Sequence, residues 1–562
     1  MTRARGGALL LLLAVAWVLP PRWAHGQEPG GRAAVVVRVR AVSFEELLAI
    51  PEVAALARAG GAGLLANPED VATVVGGPGE RERTLTVDPG RAGGLDAAGA
   101  LVRRAVSEAP PGQLLVIVLG EGSSAEMRAL KDELVGIAIA VGTPAELFPD
   151  GGRAGSLTSD STRREGVVTG GDVRATLDAF LGGAALFAGE PAPGSPIETI
   201  AGPPPFELHA RYLAQRRMSV PVGSAAALYV TGAGLLAVGC LAFGAPERPR
   251  RLAGWAALAV PALASGLLAA GHLPELTYAT VVPFVAIVTV FGTMAFSPLA
   301  RRSVVQVPAG IGVAVLAFFA VEAALGWSAA LTPFLGGSHL DGARFFGLPN
   351  AFVGLLIGAG LYVAHALPTS RGVALLALVG LGAGLPLLGS NLGGGVSLFA
   401  AAGLWLAVRE GDRLGPWGRV GAFLGAALLG SAVLLLAHAL SPVPTHVTRF
   451  GEAGGLAGVW DAYADRLRIG FELVARNPAA LIPVVGLPIV LGLILRPPDA
   501  IRASFERWPA WRDAMLVTAL AGIVAYLAND SGPAAAGLAF GLGLGGILGV
   551  SLLSAPGNME GS

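Results

Sequence analysis

From residue 219 to the end, this chain is a succession of apolar stretches, and that succession constrains its fold more than any other feature. An α-helix needs about 20 apolar residues to cross the roughly 30 Å hydrocarbon core of a bilayer. About eleven stretches are candidates: 222–243, 252–271, 276–296, 304–326, 348–367, 372–389, 393–408, 420–441, 479–495, 513–530 and 532–554. The sixth, seventh and ninth are short and read as broken or re-entrant. Composition agrees: 53% of residues are apolar, 14% are charged, and mean hydropathy is +0.65. A soluble protein carries about 25% charge, so a wholly soluble chain is excluded. The 82 glycines follow no three-residue period, which excludes collagen. Zero net charge provides no field for nucleic acid. The single cysteine, Cys240, excludes a disulfide within the chain and a thiolate zinc cluster.

The segment before residue 219 reads differently. Arg3 and Arg5, the apolar run Ala8 to Leu19 and the small residues around His25 have the form of a secretory signal over 1–26. Residues 27–189 hold most of the acidic residues and only short apolar runs. Strands are expected at Ala34–Val39, Leu114–Leu119 and Val135–Val141, with helices near 95–107 and 124–133. Ser43 and Glu46 form a capping box ahead of a further helix. Strands alternating with helices imply an α/β domain with a largely parallel sheet. Residues 190–218 read as a Pro-rich linker and a short basic helix, 219–555 as an all-α membrane domain, and 556–562 as a tail.

Orientation follows from loop arginines. If the α/β domain lies outside, the inner loops hold Arg248, Arg250, Arg251, Arg301, Arg302, Arg371, Arg409, Arg413, Arg419, Arg496, Arg502, Arg507 and Arg512. The outer loops hold Arg344, Arg449, Arg466, Arg468 and Arg476, and Arg211, Arg216 and Arg217 just outside the first span narrow the contrast to 13 against 8. This asymmetry and the signal sequence place the domain outside and the C-terminus in the cytoplasm, in a bacterial plasma membrane protein.

Thr158-Ser-Asp-Ser-Thr-Arg-Arg-Glu165 and the following Gly166–Gly182 resemble the late segment of alkaline phosphatase superfamily domains. Ser43–Leu48 through Gly63–Asn67 resembles the early segment of a membrane-anchored bacterial branch of that superfamily. The resemblance implies a phosphatase-like fold and a Ser or Thr nucleophile on divalent metals held by Asp and His. The metal-binding residues are missing: the first strand reads Val-Val-Val-Arg-Val-Arg where an Asp is expected, and no histidine occurs between Arg32 and Pro203. Of the matching acids Asp160 and Asp172, the latter reads as the cap of a helix starting near Val173. The domain therefore reads as degenerate, with no metal or cofactor, and serves binding or regulation.

Three polar clusters interrupt the apolar half. Gly342–Asn350 contributes Arg344 and Asn350; Gly389–Gly395 contributes Asn391, Gly393 and Gly394; Asn529–Pro533 contributes Asn529, Asp530 and Ser531. The topology sets all three at the outer end, near the level of Glu322, His438, His446 and Arg449. The motifs resemble those of an uncharacterised family of polytopic bacterial proteins, with Ala351 here in place of that family's Glu. Polar groups at membrane depth face an interior or a watery cavity, and arginine pairs phosphate or carboxylate bidentately. The expected function is an outward-facing site for an anionic, lipid-linked or phosphorylated envelope substrate, with membrane lipids as partners and no nucleic acid. The alternatives are a transporter or flippase, and a receptor or scaffold acting through the outer domain. Whether the chain is an enzyme stays open at this point.

Overall fold

In the computed structural model, the structure describes residues 32–40, 42–66, 82–87, 94–107, 113–121, 135–142, 146–147, 154–181, 194–340, 345–441, 464, 468, 482–529 and 532–555. The signal-like segment, the helix expected near 124–133 and the tail lie outside the described residues.

Eight strands form one sheet: β1 (Arg32–Arg40), β2 (Gly61–Ala66), β3 (Glu82–Val87), β4 (Gln113–Glu121), β5 (Val135–Gly142), β6 (Gly155–Thr158), β7 (Val167–Thr169) and β8 (Glu198–Ile200). The order is β3-β1-β4-β5-β2-β6-β8, with β7 also beside β2. The apolar runs are explained by burial on both faces. Val35, Val37 and Val39 enter one core while Ala34 and Val36 enter the other, and β4 alternates in the same way. Helices α1 (Phe44–Ala49), α2 (Pro51–Ala59) and α3 (Leu95–Ser107) contribute to the first core, and α4 (Gly170–Leu181) to the second. The Ser43–Glu46 capping box is present.

The sheet departs from the expected parallel arrangement. Strand β1 is parallel to β3 and β4, but β5 runs antiparallel to both β4 and β2, so the sheet is mixed. Alternation of strands and helices does not determine the direction of a strand placed beside its predecessor. The Pro-rich segment is also more than a linker, because β8 within it pairs with β6.

The remainder is helical: α5 (Phe206–Ala242), α6 (Glu247–Leu258), α7 (Val260–Ala269), α8 (Tyr278–Met294), α9 (Gln306–Ala324), α10 (Ala351–Ala364), α11 (Thr369–Gly384), α12 (Leu392–Arg409), α13 (Gly411–Ala439), α14 (Ile482–Leu495), α15 (Asp499–Arg507), α16 (Pro509–Ala528) and α17 (Gly532–Ser554). Among the described residues, seven helices are long and apolar enough to cross a membrane. They number eight if α6 and the segment Val260–His272, bent by 44°, make one span. This is the character of a multi-pass membrane protein. Three more apolar helices are shorter: α10, α11 and Val485–Leu495. The seventh stretch, expected to be short, forms the 18-residue α12, whereas the fifth forms only the 14-residue α10. The basic helix and the first apolar stretch are one continuous helix, α5, despite Pro221.

Helix α10 is buried almost throughout its length. At 1.5 Å per residue it measures about 21 Å, short of the roughly 30 Å core. Ahead of it, residues 325–340 and 345–350 are largely irregular, and many of them are buried against protein, where such backbone is tolerated. Close packing requires glycine at Gly354, where a Cβ would lie 1.8 Å from the Ala535 carbonyl of α17. The glycines of α17 differ in surroundings: at Gly545 and Gly549 a Cβ would press on α6, while at Gly541 it would meet nothing within 4 Å. Large apolar side chains stand exposed on α5, α8 and α13, among them Leu235, Phe291 and Leu428.

Candidate functional site

The three polar turns, far apart in sequence, meet at the end of the bundle that carries the sheet domain. Asn391 caps α12: its Oδ1 accepts from the Gly394 amide at 2.8 Å, and its Nδ2 donates to Leu348 O at 3.0 Å and to Asn350 Oδ1 at 2.9 Å. Gly347, at φ 97°, lets the first turn lie against the second, because a Cβ there would be 2.1 Å from Gly389 O. The Leu348 amide donates to that same carbonyl at 2.7 Å. Gly393 faces the third turn, with Ala528 O and Asn529 Oδ1 where a side chain would stand. Asn529 is buried and donates to Ala525 O at 2.9 Å. Asn350, Asn391, Gly393, Gly394 and Asn529 are thus brought together. Arg344, Asp530, Ser531, His446 and Arg449 lie outside the described residues.

Glu322, at the last turn of α9, is 1% exposed. One carboxylate oxygen is hydrogen-bonded to His272 Nε2, and the other accepts from the Ala329 amide at 3.3 Å. His438 is fully buried, with Nε2 at 3.0 Å from Gly384 O, so it ties α13 to α11. The Asn391 amide bonds Ala383 O on the same turn of α11, and His438 therefore supports that turn from behind.

The residues that complete the site come from the sheet domain, and sequence reasoning did not single them out. The turn between β6 and β7 carries Arg163 and Arg164. Arg163 donates to Pro386 O at 2.8 Å and lies 4.7 Å over the Phe346 ring. Arg164 donates to Phe345 O at 2.9 Å, to Trp327 O at 3.2 Å and to His339 Nδ1 at 2.8 Å. Burial pushes the Arg164 guanidinium down to about 10, and the Glu322 carboxylate pulls the other way. Trp327 in turn donates through Nε1 to Leu388 O at 2.6 Å. Among the described residues, the non-glycine residues with positive φ are Arg163, Trp327 and Ser390, and all three sit at this junction. Left-handed backbone without glycine persists only where its surroundings over-determine it, and such positions cluster at functional sites.

Asp172 holds the arginine turn in place. It is 0% exposed and accepts from Ser159 Oγ at 2.7 Å, the Thr169 amide at 2.8 Å and the Ser195 amide at 2.9 Å. Its own amide donates to Thr169 Oγ1 at 3.2 Å. The helix starts at Gly170, earlier than expected, so Thr169 is the cap and Asp172 is the third helical residue of a reciprocal box. Its carboxylate is occupied by neutral donors, while Asp160 stands exposed. Among the described residues, no three His, Cys, Asp or Glu side chains are grouped to hold a metal ion.

The helix-side core of the sheet domain also continues into the bundle, taking in Tyr212, Leu340 and Phe345. The arginine contacts therefore sit beside an apolar seam. The signals that pointed this way were faint: paired arginines in a Ser/Thr turn, and two of seven histidines placed just after apolar stretches. No family model matches the chain, and no curated protein or solved structure matches it either.

Proposed function

We propose that this chain is a multi-pass envelope membrane protein whose sheet domain lies outside the cell and closes over an anion-handling site at the outer end of about eleven spans. In this reading the C-terminus is cytoplasmic and the sheet domain is a degenerate alkaline phosphatase-like module used for docking and regulation. The substrate is anionic and lipid-linked, such as a headgroup phosphate. The observation that carries the reading is the convergence of Arg163 and Arg164 on the joined Asn/Gly turns, with the buried Glu322 carboxylate acting on Arg164. Arg164 donates to carbonyls and an imidazole, which add no negative charge, and with Arg163 beside it two guanidiniums stand against the Glu322 carboxylate, a cationic character suited to phosphate. The test is mass spectrometry of lipids co-purifying with the full chain and with Arg344→Ala. A phosphorylated or sugar-linked lipid held by the wild type and absent from the variant is expected. Bulk phospholipid, identical in both, would overturn the reading.

A second reading, a transporter or flippase, is favoured by a different observation. The bent pair at α6 and α7 is a discontinuous helix of the kind that lines substrate pathways, and α10 is too short to span the core alone. Transfer of a labelled lipid across reconstituted vesicles separates the two readings.

A further inference from the structure

The Arg164–His339 contact makes a chemical demand. A guanidinium is a donor only, so the His339 Nδ1 that faces it at 2.8 Å must accept. A ring nitrogen accepts only when it carries no proton, and the ring is then neutral with its hydrogen on Nε2. A protonated His339 would set an N–H, and a second positive charge, against Arg164. His339 is buried and Arg164 half-buried, which leaves little water around the imidazole to soften that repulsion.

We propose that Arg164 and His339 form an acid-released latch between the sheet domain and the helical bundle. Above histidine's ordinary titration range, near pH 6.5, neutral His339 accepts from Arg164 and the arginine turn stays seated. As pH falls through that range, His339 gains a proton, the contact becomes repulsive and the turn lifts. The stabilisation is present when the ring is neutral and is lost on acidification. This holds whatever anion the site takes and goes beyond the function proposed above.

The charged and titratable groups around the imidazole fit this role. The sheet domain presents Arg164, with Arg163 beside it, and both guanidiniums lie over Phe346. Helix α9 presents Glu322, which attracts Arg164 and holds His272 from the end of the bent pair. Glu322 also fixes the Ala329 amide in the turn that offers Trp327 O to Arg164. Asp341 and Arg344 lie outside the described residues. Among the described residues, Glu322 is the countercharge to the Arg164 cation already in place. A second cation at His339 exceeds it.

The test is hydrogen–deuterium exchange of the full chain in lipid nanodiscs at pH 8 and pH 5, corrected for intrinsic exchange, read over residues 327–340 and 385–391 beneath the turn. In the wild type, protection there should fall by about tenfold or more at pH 5, as expected for losing a hydrogen bond to a charged group. His339→Gln keeps an acceptor oxygen and does not titrate, so it should remain protected at both pH values. Arg164→Gln should be deprotected at both. His272→Gln should retain the wild-type response. Equal wild-type protection at the two pH values would overturn the proposal. So would an acid response that survives in His339→Gln or vanishes in His272→Gln. Unchanged protection in β1 and β4 verifies folding of each variant, and His339→Asn replaces His339→Gln if that variant does not fold.

Discussion

The two ends of the helical bundle use the same residue type in opposite ways. At the end bearing the sheet domain, Arg164 is half-buried and donates to two carbonyls and an imidazole contributed by a separate part of the chain. At the other end, Arg413 and Arg251 pair locally and in the open, although Arg409 reaches Asp513, 104 residues away. Arg413 bonds Glu410 three residues away with 85% of its side chain exposed, and Arg251 bonds Glu247 one helical turn away. Exposed pairs contribute about 0–1 kcal/mol, whereas a buried acceptor stripped of its donor loses about 1–3 kcal/mol. Arginine therefore acts as a structural clamp at one end, whereas Arg413 and Arg251 at the other are solvated charges.

The contrast can be tested by substitution, measured as denaturation of the purified protein in detergent. The largest effect is expected at Gly354→Ala near the sheet-bearing end, where the added methyl would enter the Ala535 carbonyl. About 3 kcal/mol of destabilisation is expected, as for an overpacked core. Gly541→Ala, which faces open space, is its neutral control. Arg164→Ala should remove about 2–3 kcal/mol, because Phe345 O and Trp327 O lose their donor. Asn391→Ala should cost about 1–2 kcal/mol, as a lost helix cap. At the opposite end, Arg413→Ala should change stability by no more than about 0.5 kcal/mol. An Arg413 effect as large as that of Arg164 would break the comparison.

What was legible in the sequence was local. The Ser43 box, the apolar strands and the helical stretches depend on neighbours a few residues apart, and they stand in the structure at or near the positions read. The Asn391 turn was legible as polar, but its reach to Asn350 joins residues 41 apart. The arginine turn was legible only as part of a phosphatase-like segment. Its partner at Pro386 lies 223 residues away, and no local pattern encodes such a contact. The antiparallel β5 was missed for a related reason, since direction depends on a connection rather than on the strand's own residues. The boundary read at residue 218 fell inside a continuous helix: α5 runs on through Pro221, as helices beside neighbours in a membrane can.

Helix α5 has a mechanical consequence. Because it begins against the sheet domain and runs on without a break through 37 residues, no joint separates that domain from the first span. At 1.5 Å per residue it is a rod of roughly 55 Å, and rocking the sheet domain by about 5° would swing the far end by about 5 Å. Any event that tips the sheet domain is thereby delivered to the far end of α5 as the tilt of one helix.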